Sequence, residues 1–245
     1  MKIVNQHLAF PKANLVQPNG YGYIHLAAEL EKPRGPFPRN TERKRKIIRQ
    51  CKEISDRLKE LPDVRNVHVF EALIVAPGRG ELVKHRKVHV AQFDVVVLIE
   101  THRLDHTRQV QEHPLYQELL QLLSLHSAFT HEVVAENARK IAEVDKSRQG
   151  VFLFNYFYAD DVHQLLPVWE YTAGWFTAKT GLDNSTLLLP AEGERSQYGV
   201  INHCRWDSLF DIVPDLLFRP TFRKYVLENF EANGIAAMPI LYKLV

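Results

Sequence analysis

Hydrophobic and polar residues follow two different rhythms along the chain, and each rhythm predicts a type of secondary structure. Between residues 41 and 61 the apolar positions recur every three or four residues, which predicts a helix that Asn40 or Thr41 caps and Pro62 ends. Runs rich in β-branched and aromatic residues predict strands on either side of it. The first half is expected to hold strands at 21–30, 64–75, 88–100 and 129–135, a glycine turn at 77–80, and a second helix from Pro114.

The second half of the chain repeats this order of elements. Strands are expected at 151–158, 185–189, 198–206 and 235–244, with one helix from 160 or 161 to 180 and another from 220 to 232. Two tetrapeptides support the repeat, since 113–116 (His-Pro-Leu-Tyr) and 219–222 (Arg-Pro-Thr-Phe) both place a proline at a helix start and an aromatic residue two positions later. Each half therefore predicts the order β-α-β-β-α-β.

A unit of this order is the ferredoxin-like split βαβ fold, a four-stranded antiparallel sheet with both helices on one face. The predicted strands are apolar on both sides, since Phe152, Phe154 and Tyr156 alternate with Leu153 and Phe157. The second face of each sheet must therefore be covered as well. The predicted fold class is α+β, with tandem ferredoxin-like units whose two antiparallel sheets face each other in an α/β barrel.

On this element order and the proline-aromatic helix start, residues 21–245 resemble the dimeric α/β-barrel superfamily with two units fused in one chain. That superfamily includes the antibiotic-biosynthesis-type monooxygenases. We expect an N-terminal extension at 1–20, a first unit at 21–149 and a second unit at 150–245. The alternative is two ferredoxin-like domains joined by a linker at 143–149 that share no barrel. Fusion would allow a monomer where single-unit relatives need a dimer, and association into a homodimer stays open.

Composition is that of an ordinary globular protein, with 45% hydrophobic residues, 24% charged residues and a formal net charge of +2. The two cysteines, Cys51 and Cys204, have no disulfide or zinc-ribbon spacing, which favours a cytoplasmic protein. No apolar run approaches the length of about 20 residues that spans a bilayer, so no membrane partner is expected. The basic cluster at 39–52 is interrupted by Glu42 and Glu53, which is typical of a solvated helix face and predicts no nucleic-acid partner.

Polar residues that interrupt apolar strands are the candidate catalytic residues, because a barrel of two facing sheets encloses a cavity. Asn155 lies within an aromatic strand, and in the resembled monooxygenases an asparagine on the first strand positions a substrate oxygen. His203 and Arg205 share one face of the third strand of the second unit. A neutral histidine can abstract a proton and an arginine can hold an oxyanion. We expect Asn155, His203 and Arg205 to lie in one cavity. The structural alternatives are that the Asn155 amide is satisfied by hydrogen bonds, that the His203 ring is hydrogen-bonded for structure, and that Arg205 forms an ion pair.

Candidate substrate-binding residues come from the same strands. Glu100 and His102 share the polar side of the third strand of the first unit, so Glu100 would face His203 and Arg205 across the cavity. Trp206 lies on the opposite side of its strand from His203. The chain has 12 histidines, but His102 and His106 lack a third ligand at a fixed spacing, so no metal site is predicted.

These residues predict a protein that binds an apolar or aromatic, polyketide-like small molecule, and the resemblance implies a cofactor-independent monooxygenase or a related enzyme. One alternative is a non-catalytic binding or structural protein whose barrel is filled by side chains. A second alternative is a haem-binding member of the superfamily, because some members bind haem through a histidine. No cofactor is otherwise predicted, and neither dinucleotide nor P-loop glycine motifs occur.

Overall fold

The computed structural model describes residues 1–76 and 81–245, apart from the side chains of Glu81 and Lys84. The turn predicted at 77–80 lies outside these residues. The described strands are β1 (Gly22–Glu29), β2 (Val64–Val75), β3 (Val95–Thr101), β4 (Phe129–Lys140), β5 (Val151–Ala159), β6 (Thr186–Pro190), β7 (Val200–Trp206) and β8 (Ile235–Leu244). The described α-helices are α1 (Glu42–Leu58), α2 (Glu81–His85), α3 (His106–Glu112), α4 (Pro114–His126), α5 (Leu165–Thr180), α6 (Val213–Phe218) and α7 (Glu228–Ala232). A π-helical segment, Phe222–Leu227, lies directly before α7.

The strands close into one barrel to which each half of the chain contributes a four-stranded sheet. The order around the barrel is β1-β3-β2-β8-β5-β7-β6-β4, and neighbouring strands are antiparallel. Within each half this is the strand order of a split βαβ unit. The halves join where β2 pairs with β8 and where β4 pairs with β6. The predicted α+β barrel of two fused ferredoxin-like units is confirmed, and the alternative without a shared barrel is wrong.

The helices cover the outside of the barrel. Apolar side chains of α1 and α4, such as Ile54 and Leu123, pack with the outward side of the first sheet. On the second sheet, α5 and α7 do the same with Val168 and Phe230. The sequence accounts for the ends of these helices, since Thr41 caps α1 by accepting a hydrogen bond from the Lys44 backbone N–H. Within the described residues, no helix combines the length and the apolar composition needed to cross a bilayer.

The third strand of the first unit is shorter than predicted. Residues 88–94 run as irregular chain before β3 because the Asp94 side chain accepts hydrogen bonds from the backbone N–H groups of Leu30 and Glu31 beyond the end of β1. Three helices were not predicted, namely α2, α3 and α6. They have five to seven residues, so they hold too few turns for a helical period to be visible in the sequence.

Residues 2–15 pack on the second unit, whereas Val16 pairs with Lys140 of β4 and the Asn19 backbone N–H donates to the Asn137 side chain in the first unit. The Val4 backbone N–H donates to Asn229 at 2.9 Å, and the Phe10 ring lies edge-on to Tyr225 with centroids 4.7 Å apart. At Pro11 the segment crosses α5 so closely that a Cβ on Gly174 would overlap the Pro11 carbonyl oxygen. On the same helix Trp175 is fully buried, since its indole Nε1 donates to the Thr221 hydroxyl at 3.0 Å and its ring lies 5.2 Å from Phe222, whereas Phe176 is only half-buried.

A buried ionic cluster fixes the start of β3 to α1. The Lys44 ammonium group is 3.3 Å from a Glu71 carboxylate oxygen and 4.0 Å from Asp94, and its side chain is 1% exposed. Burial raises the pKa of Asp94 to about 6, an effect that the positive charge of Lys44 and the two backbone N–H groups lessen. The cluster therefore holds the Asp94 carboxyl group in the interior, and its effect on the free energy of unfolding depends on pH.

We predict that Gly174→Ala destabilises the protein by about 1 to 3 kcal/mol, because the added methyl group must displace the backbone at Pro11. Alanine is otherwise the better helix former, so a loss would report the packing of the N-terminal segment. Chemical denaturation measures the free energy of unfolding. Gly20→Ala is the control, since a Cβ there meets nothing within 4 Å, and a Gly174→Ala protein of wild-type stability would contradict the close contact.

A second prediction concerns the pH dependence of stability. The pKa of Asp94 is about 6 in the folded protein and about 3.9 in the unfolded chain, so the folded state binds more protons between these values. The protonated Asp94 should therefore make the free energy of unfolding larger below pH 4. This contribution, up to about 3 kcal/mol, should be lost as the pH rises to 6. The free energy of unfolding, measured between pH 4 and 6, should fall in the wild type and in the exposed control variant Glu118→Gln. Asp94→Asn should not show this fall. Equal slopes for Asp94→Asn and wild type would refute the assignment.

Candidate functional site

Large aromatic side chains fill the middle of the barrel. Alternate residues of each strand point inward, and those of β5 are Phe152, Phe154 and Tyr156, each fully buried. Residues of the other strands and their connections meet them across the barrel: Phe70, Phe93, Tyr198 and Tyr242. Among the described residues, this packing leaves the larger cavities at the end of the barrel where β3, β7 and β8 finish.

His203 projects into the barrel, as the parity of its strand allows. Its Nδ1 lies 3.1 Å from the Leu153 carbonyl oxygen, which can only accept, so the proton sits on Nδ1 and Nε2 carries a lone pair. Nε2 is buried without a hydrogen-bond partner among the described residues. The ring stacks on Phe154 at 4.2 Å and meets the edge of Phe70 at 5.5 Å. Burial, with Lys146 as the next cause, lowers the pKa of His203 well below its usual value, so the ring is neutral.

The expectation that Asn155 shares a cavity with His203 is wrong. Asn155 lies on the outward side of β5, because the inward positions of that strand are taken by Phe154 and Tyr156. Its side chain lines a void of about 20 Å³ between the sheet and α5, which has room for about one water molecule. The Asn155 Oδ1 has no protein partner among the described residues. A water molecule in this void would satisfy it.

Trp206 also lies on the outward side of its strand. Its indole Nε1 donates to the Thr180 hydroxyl oxygen at 3.1 Å, which ties β7 to the last turn of α5. The side chain is buried with the helix layer and lines the same small void as Asn155. Trp206 therefore does not meet His203, and its contacts are those of a packing residue.

Arg205 lies on the same side of β7 as His203 but reaches the end of the barrel. Its Nη1 is 2.8 Å from Asp207, and its Nη2 donates to the Gln149 carbonyl oxygen at 2.6 Å. The side chain is 5% exposed and lines a polar cavity of about 410 Å³. Gly150 allows this placement, since a Cβ there would clash with the guanidinium group. Arg205 thus holds the chain between the two units in place. Its ion pair with Asp207 is the structural alternative that the sequence analysis gave for this residue.

Glu100 lines a larger groove at the same end of the barrel, with a volume of about 830 Å³. Its carboxylate lies 2.9 Å from Lys146 and 3.9 Å from Arg65. His68, Val144 and Leu244 line the same groove from the inward side of the barrel. His102, the other candidate of this strand, lies beyond the end of β3 on an exposed turn, so the expectation that it binds substrate together with Glu100 is not met by its position.

His68 was missed by the sequence analysis. It occupies an inward position of β2, two residues before Phe70, and lines the groove. Its Nε2 is buried, and neither ring nitrogen has a hydrogen-bond partner among the described residues. Burial lowers the pKa of His68 to about 3, with Lys146, Lys59 and Lys52 as the further causes in that order. A polar residue interrupting an apolar strand was the signal used for Asn155, and the same signal applies to His68.

The opposite end of the barrel holds a second group of polar side chains, but these bind one another. The His25 Nε2 lies 3.2 Å from the Tyr156 hydroxyl, and the His131 Nε2 lies 3.1 Å from the Ser196 hydroxyl. Burial is the main cause that lowers the pKa of both histidines. Near them His89 stacks on Phe129 at 3.8 Å. The His25 contact joins β1 to β5 across the barrel, and the His131 contact joins β4 to the chain before β7.

The interior histidines do not fit a haem. Phe154 lies flat against the His203 ring and Phe70 meets it edge-on, so side chains occupy the space that a porphyrin beside His203 would need. Around His68 the groove presents Lys59, Lys146 and Glu100, which cannot form the apolar walls that a haem requires. In the parts of the chain that the structure describes, no group of three His, Cys, Asp or Glu residues is placed to hold a metal ion.

No protein-family model matches the sequence, and no curated protein is significantly similar to it. Solved structures share the fold. One described as an anthrone oxidase-like protein has a TM-score of 0.67 at 11% identity, covering 97% of this chain and 94% of its own. A "putative monooxygenase" from Fusobacterium nucleatum has a TM-score of 0.56 at 5% identity, covering 92% of each chain. Another from Lactobacillus acidophilus has a TM-score of 0.51 at 7% identity, covering 93% of this chain and 94% of its own.

At these identities the likeness shows the fold alone. It agrees with the resemblance drawn from the sequence, since a single chain with two ferredoxin-like units forms the barrel that single-unit members of the superfamily form as dimers. The cavities at the end of the barrel, and the side chains that line them, therefore carry the case for a function.

The packing of His203 generates a prediction. His203→Phe should change the free energy of unfolding by less than about 1 kcal/mol, because the neighbours are aromatic and an unpartnered buried nitrogen is removed. His203→Ala should cost about 3 kcal/mol or more, since it leaves a void beside Phe70 and Phe154. Urea unfolding of the two variants measures both values. A His203→Phe loss as large as that of His203→Ala would show that the Leu153 hydrogen bond dominates.

Proposed function

We propose that the protein binds an aromatic small molecule with an acidic C–H or phenolic O–H group in the groove at the end of the barrel, and that it oxidises this molecule with dioxygen without a bound cofactor. The observation that carries the proposal is His68. Its neutral ring lies in the wall of a groove of about 830 Å³ and keeps both nitrogens free of protein partners within the described chain. Ligand cavities typically have volumes of about 300 to 1,000 Å³.

The groove offers both surfaces that such a substrate needs. Val144 and Leu244, which pack with the inward cluster as His68 does, supply apolar wall for an aromatic ring. His68 supplies a proton acceptor, and the Lys146 ammonium group supplies a positive charge beside the anion that forms when the proton leaves. Glu100, 2.9 Å from Lys146, holds that ammonium group in place.

The reaction balances without an external reductant. Removal of a proton from an activated methylene group gives a resonance-stabilised carbanion, which donates electrons to dioxygen. One oxygen atom becomes the new carbonyl oxygen and the other leaves as water, so CH₂ and O₂ give C=O and H₂O. The residues of the chain therefore need only to bind the substrate, accept the proton and stabilise the anion.

The filled middle of the barrel favours a second candidate, a binding protein without turnover. The inward aromatic residues of β5 are fully buried, so a ligand in the described cavities would lie at the end of the barrel and not at its centre. This candidate requires the groove to bind a small molecule but requires no proton transfer at His68. The experiment below separates the two, because it measures binding and oxidation independently.

The test uses anthrone, chosen because one structure with this fold is described as anthrone oxidase-like. We predict that the wild-type protein consumes dioxygen and forms anthraquinone, and that His68→Gln lowers kcat by a factor of about 10² or more while anthrone still binds. His126→Gln, an exposed histidine outside the groove, is the matched control. Dioxygen uptake and the absorbance of anthraquinone measure turnover, and calorimetric titration without dioxygen measures the binding of anthrone.

His203→Phe completes the design, since His203 was the catalytic candidate from sequence. Loss of turnover in His68→Gln but not in His203→Phe assigns the base to His68. The reverse result assigns it to His203 and moves the site into the barrel. Binding of anthrone with no oxidation above the protein-free rate in the wild type would favour the non-catalytic candidate.

A further inference from the structure

We propose that the groove selects substrates that carry a carboxylate substituent, and that Lys59 binds this group. The inference deepens the proposed function, on which it rests, by naming the class of substrate and a specificity-determining residue. It follows from the pairing of charges along the groove, from the position of Lys59 and from the apolar surface beside it.

The other cations of the groove already have partners. Lys52 pairs with Asp56 one turn further along α1, and Lys146 lies 2.9 Å from Glu100. Arg148 lies 2.8 Å from Asp145. Lys59 is the exception, because no carboxylate lies within ion-pair distance of its ammonium group in the described part of the chain.

The carboxylates of the groove are neutralised as well. Asp56, Glu100 and Asp145 take part in the pairs just described, and Glu143 accepts a hydrogen bond from Lys140 at 2.6 Å. Lys146 and Arg65 share the carboxylate of Glu100, so the side chains that line the groove include more cations than carboxylates, and Lys59 is the cation without a carboxylate partner among the described residues. A cationic ligand would have to break an existing ion pair, whereas an anionic ligand would complete one.

Lys59 is held at the edge of the groove by the end of α1. It is the C-terminal cap of that helix, and its backbone N–H donates to carbonyl oxygens of the last turn. Its backbone is thereby fixed while its long side chain remains free to meet a ligand. Val144 and Leu244 line the same groove from the inward side of the barrel, so one molecule with a ring and a carboxylate can contact both this apolar surface and Lys59.

A bound carboxylate would also affect the proton acceptor. Lys59 is one of the three ammonium groups that lower the pKa of His68. A negative charge placed beside Lys59 offsets part of that field and so makes His68 a better base. The substituent would then both orient the substrate and activate the group that takes its proton.

The test compares two probes that differ only in the carboxylate, 1-hydroxy-2-naphthoate and 1-naphthol, by calorimetric titration of the full-length protein. We expect the wild type to bind the naphthoate at least tenfold more tightly than the naphthol. Lys59→Gln should lose this tenfold preference and bind the naphthol as before, and Lys59→Arg should keep it. Lys46→Gln, which removes an exposed charge of the same helix outside the groove, is the matched control and should behave as wild type.

Equal affinity of the wild type for the two probes, or a preference that survives in Lys59→Gln, would overturn the inference. Oxidation of anthrone that depends on His68 would in that case leave the proposed function standing. Conversely, the protein could prefer the naphthoate, lose this preference in Lys59→Gln and oxidise no probe. That result would support the carboxylate site and contradict the proposed oxidation. Binding of neither probe overturns the inference.

Discussion

Closure of the barrel is the constraint on which the rest of the structure depends. A ferredoxin-like sheet on its own has two open edges and one bare face, and both problems are solved together when β2 pairs with β8 and β4 pairs with β6. The two bare faces then become one enclosed interior. Most inward positions of the described strands are buried by this geometry, whatever the polarity of the residue that occupies them, whereas an inward residue near the end of the barrel such as His68 is half-buried. Polar side chains at inward positions must therefore find partners, reach an end of the barrel or stay unpaired.

The interior shows all three outcomes. His25 and His131 find hydroxyl partners, and Arg205 reaches the end of the barrel, where it pairs with Asp207. His203 bonds a backbone carbonyl oxygen through one ring nitrogen, and in all three histidines the second ring nitrogen is buried without a partner among the described residues. Burial keeps these histidines neutral, because removing a charged imidazolium from water costs more than the few contacts in the interior return. Neutral rings pack like aromatic residues, which explains how they share the core with Phe70 and Phe154.

Much of the fold could be predicted from the sequence because its elements are long and strongly patterned. The strand β2 and the start of α4 lie where the pattern placed them, since twelve residues of strand and a proline at the first helical turn are clear local signals. The irregular chain at 88–94 could not be predicted, because there the Asp94 side chain replaces the hydrogen bonds that a continued strand would make. Only tertiary contacts reveal this replacement. The burial of Trp175 likewise depends on tertiary contacts, since Thr221 and Phe222 pack against it.

The candidate site was less predictable because it depends on which face of each strand points inward. Period-two alternation groups His203 with Arg205 but cannot relate their strand to that of Asn155, and the structure places Asn155 on the other side of the sheet. The location of the described cavities has a physical reason too. Seven large aromatic side chains fill the cross-section of an eight-stranded barrel, whose interior is only wide enough for its own side chains.

A ligand is therefore excluded from the middle of the described barrel, and the space for one lies where the strands end and charged side chains begin. There the chain between the two units supplies Lys146 and Arg148, and β2 and β3 supply His68 and Glu100. Fusion of the units thus gives this end of the barrel a segment that two separate chains would not place there. That segment adds Lys146 and Arg148 to the charges that α1 and β3 place along the groove, such as Lys59 and Glu100, and these charges distinguish this end of the barrel from the aromatic interior.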